Sequence, residues 1–133
     1  MESIFAGIGL YLAAMIVASA AVDDVIVLVV PKVPNFFGTN YYGITIGCFA
    51  IIERAEDTPS RRLHEAIHWE QKKELAGFAF LPLYLAFYLR GLVRYRSHAQ
   101  AYTHNPFEEE AYKAMLDPRY LIERRAYAWR DWL

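Results

Sequence analysis

The stretch T-P-S-R-R-L-H-E-A-I-H-W-E-Q, residues 58–71, constrains the fold more tightly than any other part of the chain. Thr58 is a natural N-cap and Pro59 suits the first helical position, so a helix is expected from there to about Ala76, stopped by Gly77. Successive helical residues turn by ~100°, which puts His64 and His68 about 40° apart on one face, one turn apart. Two imidazoles at that spacing can reach one cation at about 2.0–2.1 Å. Glu65, next to His64, can lean over the same opening without ligating and take a proton from metal-activated water. The competing reading is an amphipathic helix whose histidines make ordinary hydrogen bonds. H-E-x-x-H has only three fixed positions, so chance matches are common.

Zinc in a catalytic site takes three protein ligands and keeps one position for water. The third ligand has to come from an element folding back over the first helix. Downstream candidates are His98, His104, Glu108, Glu109, Glu110, Asp117, Glu123 and Asp131; Glu70 and Glu74 point away from the line joining the histidines. In N-P-F-E-E-E-A-Y-K-A-M-L (105–116), Asn105 caps, Pro106 starts and Asp117–Pro118 stops a helix. Phe107, Ala111, Ala114 and Met115 fall within an arc of ~100° and define its inner face. Glu109 projects from the opposite side, while Glu108 and Glu110 flank the stripe. Helix geometry does not separate those two, although Tyr112 widens the stripe toward Glu108. Asn105 and Glu108 also match a capping box, which would occupy Glu108 without any metal.

H-E-A-I-H-W-E-Q, followed some forty residues later by A-Y-T-H-N-P-F-E-E-E-A-Y, resembles a group of small bacterial zincin-like proteins that share H-E-x-x-H-x-x-Q, an apolar helix and N-P-F-E-x-E-A-Y. The resemblance spans about Tyr41 to Met115. More distantly, the chain is similar to gluzincin peptidases, whose third ligand is the Glu of E-x-x-A. That pattern falls here on Glu108-Glu109-Glu110-Ala111, so the resemblance implies zinc on His64, His68 and Glu108 with Glu65 as base. It departs at Tyr112, where many of those peptidases carry an Asp that supports a histidine ligand. Gln71, Tyr102 and Tyr112 are candidates to replace it, because a ligating histidine needs an acceptor for its other ring nitrogen. Tyr102, His104 and Tyr112 are candidate donors to a developing oxyanion. The implied activity is zinc-dependent hydrolysis of a peptide amide in a peptide or protein substrate. The alternative is a catalytically silent zincin-like subunit of a membrane or particle assembly.

The rest of the chain fits a single α+β domain, a minimal zincin-like unit with a short β-sheet before a mainly helical part. At 133 residues there is little left for a second core. Val25–Val30 reads as a buried strand, 35–40 as a turn around Gly38, and 41–54 as strand-rich with Gly43 and Gly47 marking bulges or close approaches. Residues 75–89 form an apolar helix too short for a span, kinked or started by Pro82; 94–104 is polar; a final amphipathic helix from Arg119 carries Trp129 and Trp132. Cys48, the single cysteine, excludes an internal disulfide and reads as a buried, inert thiol. A net charge of −1 gives no field for nucleic acid.

The first 24 residues stand apart from the domain at 25–133. Ser3 to Val22 holds no charge, long enough for ~30 Å of helix. An apolar helix packed in the core or on a partner, and a membrane anchor, both suit it. A signal peptide would use V-A-S-A-A for cleavage but lacks a basic n-region. A third reading of the function is a peripheral membrane protein, with Arg90, Arg94 and Arg96 beside the second apolar helix as at an interface; the competing reading is a solvated helix end with arginines near its C-terminus.

Overall fold

The computed structural model describes residues 21–22, 25–30, 43–46 and 49–133. The expectations for residues 1–20, for the turn at 35–40 and for Cys48 lie outside them. Residues Ala21–Val22, assigned above to the end of an N-terminal helix, form instead a short strand, β1. β1 pairs antiparallel with β2 (Val25–Val30), which runs parallel to β4 (Phe49–Glu53); β3 (Gly43–Ile46) closes the far edge antiparallel to β4, giving the order β1-β2-β4-β3.

The period-2 alternation of a pleated strand sorts the apolar residues. Val27, Val29, Ala50 and Ile52 are buried and meet Ala66, whereas Ile26 and Phe49 are exposed. One face of the sheet is therefore seated on a helix. That helix, α1 (Pro59–Glu74), starts as expected: Thr58 Oγ1 accepts a 3.1 Å bond from the Arg61 N–H. It stops by backbone geometry. Ala76 and Gly77 both have positive φ, and their N–H groups return to the carbonyls of Lys73 and Lys72, the paired bonds of a Schellman ending.

α2 (Phe80–Tyr95) follows, with Pro82 in its first turn, so the proline marks a start and produces no mid-helix kink. The chain reverses at Arg96, which is left-handed, into a short α3 (His98–Thr103) capped by Ser97. α4 (Pro106–Ala114) begins at Asn105, whose Oδ1 accepts from the Phe107 N–H while its Nδ2 donates to the Tyr84 carbonyl. The single final helix expected from Arg119 is broken. A four-residue α5 (Tyr120–Glu123) and a 3₁₀ turn (Ala128–Trp132) are separated at Tyr127, which has φ of 58°. The break lets Arg124 turn inward and Trp129 reach a second core of Phe80 and Phe107.

α1 is the shared element. Ala66 faces the sheet, Leu63 and Ile67 meet Ala111 and Ala114 of α4, and the histidine face looks toward α2 and α4. α2 and α3 approach so closely at Gly91 that a Cβ there would sit 2.8 Å from the Ala101 Cα. Gly91→Val is therefore expected to lower folding stability by roughly 2 kcal/mol through overpacking, measured as a lower midpoint of urea unfolding.

Candidate metal centre

His64 and His68 present their Nε2 atoms toward each other at 3.1 Å. Glu108 completes the group: Oε2 lies 3.4 Å from His64 Nε2, and Oε1 lies 3.5 Å from His68 Nε2. All three side chains are buried, and one donor from each falls within 4.8 Å of the others. Four ligands held tetrahedrally at zinc distances lie ~3.3 Å apart. The two imidazole nitrogens already stand at about that separation, and Glu108 approaches each of them through a different oxygen.

Two further features favour a cation. Glu108 Oε2 is buried without a hydrogen-bond partner, although His64 Nε2 stands 3.4 Å from it. His64 Nδ1 is unpartnered as well, so neither Tyr102 nor Tyr112 gives that ring the acceptor a ligating histidine needs. A buried carboxylate oxygen with no sound donor is costly unless positive charge is supplied. The His68 tautomer is also fixed. Gln71 Nε2 donates to the Phe107 carbonyl and to Glu110 Oε2, both at 3.0 Å, so the amide can present only Oε1 to His68. His68 Nδ1 donates to that oxygen at 2.8 Å, which leaves Nε2 as the ring's metal-directed atom.

Glu108 reaches the histidines because it is engaged from α2. The Tyr84 hydroxyl donates to its Oε1 at 2.8 Å. The capping-box alternative is not realised, since the Asn105 N–H bonds to the Tyr102 carbonyl and the cap is Asn105 Oδ1. Glu110, the other flanking carboxylate, belongs to a different network. Arg124 Nε donates to it at 2.6 Å, the Tyr120 hydroxyl at 2.9 Å, and Arg124 also bridges to Glu74. Glu74 in turn accepts from the Tyr127 N–H at 2.8 Å. This Glu74–Arg124–Glu110 triad, buried at Glu110 and half-buried at the other two, holds the acceptor that orients Gln71, so the C-terminal segment supports the histidine from behind.

Electrostatics follow this arrangement. Burial works against a charged His68, but Glu108 overrides it with smaller help from Glu65 and Gln71, and the pKa is pushed up to about 9. Burial would raise the Glu108 carboxyl, yet His68 and His64 hold it well below the usual carboxylate range. Lys72 stands one turn beyond His68. Burial lowers it to about 8, against the fields of Glu65 and Glu108, and its ammonium lies 5.3 Å from the Phe80 ring centre.

Of the other predicted residues, Glu65 is buried on the same helix and its charge is felt at both His68 and Lys72. The Tyr112 ring packs edge-on against His64 at 4.6 Å, and its hydroxyl lies 3.5 Å from that of Tyr102. Burial, then the charge of Glu108, raises the Tyr102 phenol. His98 and His104 are exposed, bonded to the Tyr88 hydroxyl and the Gln100 carbonyl. Asp117 accepts from the Arg119 N–H, while Glu123 and Asp131 pair with Arg119 and Arg125 at the surface. Glu109 pairs with Lys113. Tyr84 and Arg124 were not anticipated. A tyrosine inside an apolar run does signal a polar tip in need of a partner. Arg124 carries no local sign, because its partners are 14 and 50 residues away.

No family model, curated protein or solved structure matches the chain.

Two outcomes are expected. Gln71→Leu should weaken binding of a divalent metal at this cluster about 10- to 100-fold, the usual effect of losing a ligand's outer support, as read by competition with a chelating dye. In the metal-free protein, the folded pKa of His68 lies above its ordinary 6.5. Its contribution to stability is therefore complete below about pH 6.5 and lost as pH rises through about 9. A divalent metal taken up through His68 Nε2 would have to displace the same proton, so its apparent affinity should climb about tenfold per pH unit up to about pH 9, with proton release measured calorimetrically in two buffers.

Proposed function

We propose that this chain is a minimal zincin-like zinc hydrolase that cleaves a peptide amide in a peptide or protein substrate. One observation carries the reading: His64, His68 and Glu108, from two separate helices, bring one donor atom each within 4.8 Å of the others, and the histidine helix also buries Glu65. A sheet followed by helices, with the histidine pair on the first of them, is compatible with that architecture.

The protein's own residues have distinct tasks. His64, His68 and Glu108 hold the ion; Gln71 keeps His68 Nδ1 protonated, and Tyr84 holds the carboxylate in place by donating to Oε1. A zinc ion bound there supplies a positive charge that polarises a carbonyl and acidifies a water molecule. Glu65 receives the proton of the attacking water and passes it to the leaving amine. Tyr112 packs against His64 and its hydroxyl lies 3.5 Å from that of Tyr102, so either phenol can donate to a developing oxyanion.

The depth of the cluster favours a second reading, a silent subunit whose ion pins α1 to α4. His64 is only 2% and Glu108 4% exposed. A groove of about 820 Å³ lined by Asp57, Arg62, Leu63, Met115, Leu116 and Pro118 includes none of the metal-directed residues.

Glu65→Gln separates the two. An enzyme keeps its zinc and loses roughly 10²–10⁴-fold in hydrolysis of a quenched-fluorescent peptide library. A silent subunit shows no zinc-dependent hydrolysis in either form, yet loses thermal stability when a chelator removes the metal. Negligible zinc in both the wild type and His68→Ala would end both readings.

A further inference from the structure

One side of α2 belongs to the core through Phe80, Tyr84, Phe87 and Gly91. The opposite side is also apolar. Leu81, Leu85, Leu89 and Val93 recur every four residues and are 70%, 51%, 51% and 82% exposed. Phe78, at the connection just before the helix, adds an aromatic ring that is 80% exposed. The stripe from Leu81 to Val93 runs for ~18 Å along the helix. A helix apolar all round is normally covered on every side, so the outer face requires an apolar medium.

Charge identifies that medium. Between Glu74 and Glu108 there is no acidic residue, and the charged side chains are Arg90, Arg94 and Arg96 on a chain whose net charge is −1. Arg90 and Arg94 are exposed, with guanidinium carbons 5.3 and 5.4 Å from the Phe87 and Tyr95 ring centres. The segment thus presents positive charge beside the apolar stripe, with no carboxylate on its own helix to neutralise it. Among the described residues no helix is long and apolar enough to cross a membrane.

We infer that the outer face of α2, from Phe78 to Arg94, lies on an anionic lipid bilayer, with the Leu/Val stripe at the acyl boundary and Arg90 and Arg94 on the headgroups. This is independent of any metal at the His64 cluster.

The test uses the full chain with Cys48→Ser and an environment-sensitive fluorophore on Leu89→Cys, and a control label on Ile122→Cys. With vesicles of phosphatidylcholine containing about one third phosphatidylglycerol, emission from position 89 shifts to the blue and that from position 122 does not. Adding Arg90→Gln and Arg94→Gln weakens partitioning roughly 30-fold, and adding Leu81→Glu and Leu85→Glu abolishes the shift. Unchanged emission at 89 overturns the inference, whether the protein stays in solution or sediments with vesicles through another segment. Emission already blue before vesicles are added also overturns it, because the face is then covered by protein. An equal response to pure phosphatidylcholine overturns the anionic assignment.

Discussion

The Gln71 side chain is completely buried, and its amide has a partner on every side. It joins a histidine on its own helix to the backbone and a carboxylate of α4. Turning the amide over would aim its oxygen at two acceptors and its NH₂ at a ring N–H, leaving buried groups unsatisfied. Its orientation is therefore locked, and so are the His68 tautomer and the spacing of α1 and α4. Polar groups at this depth specify one arrangement of the surrounding helices because any slip breaks several bonds together.

The lock depends on charge held behind it. Glu110 is essentially inaccessible to solvent and remains a usable acceptor because Arg124 and the Tyr120 hydroxyl saturate it. Removing one partner of such a buried set typically costs about 3–5 kcal/mol, since it strands the other charge. The break in the C-terminal helix at Tyr127 is thus part of the site. It delivers Arg124 between Glu74 and Glu110, and the Tyr127 N–H closes on Glu74. Glu108 contrasts with Glu110 two residues away. One carboxylate is saturated by an arginine; the other faces two imidazoles and retains an oxygen with no bond. Adjacent acidic residues on one short helix take opposite roles because each meets a different neighbour.

α2 serves two surroundings at once. Tyr84 extends from its inner side to the Glu108 carboxylate, while Leu85, the next residue, points outward. Successive residues on a helix diverge by ~100°, so one hydrophobic sequence can both line the core and leave a second apolar face uncovered.

Local patterns in the sequence were enough to place β2, the Thr58-capped α1, the Asn105-capped α4 and the paired histidines with Glu65, because caps, strand runs and the i,i+4 spacing act over a few residues. They also left Glu108, Glu110 or a downstream histidine as the candidate third donor, and the resemblance favoured Glu108 over Glu110. What they did not contain was distance across the chain. Which carboxylate met the imidazoles, that Tyr84 would hold it, and that Arg124 would claim Glu110 were settled only when α2, α4 and the C-terminal turn packed together. The final segment broke for the same reason. Helix propensity there is local and weak, and it gave way to burial of Trp129 and pairing of Arg124 with partners 14 and 50 residues upstream.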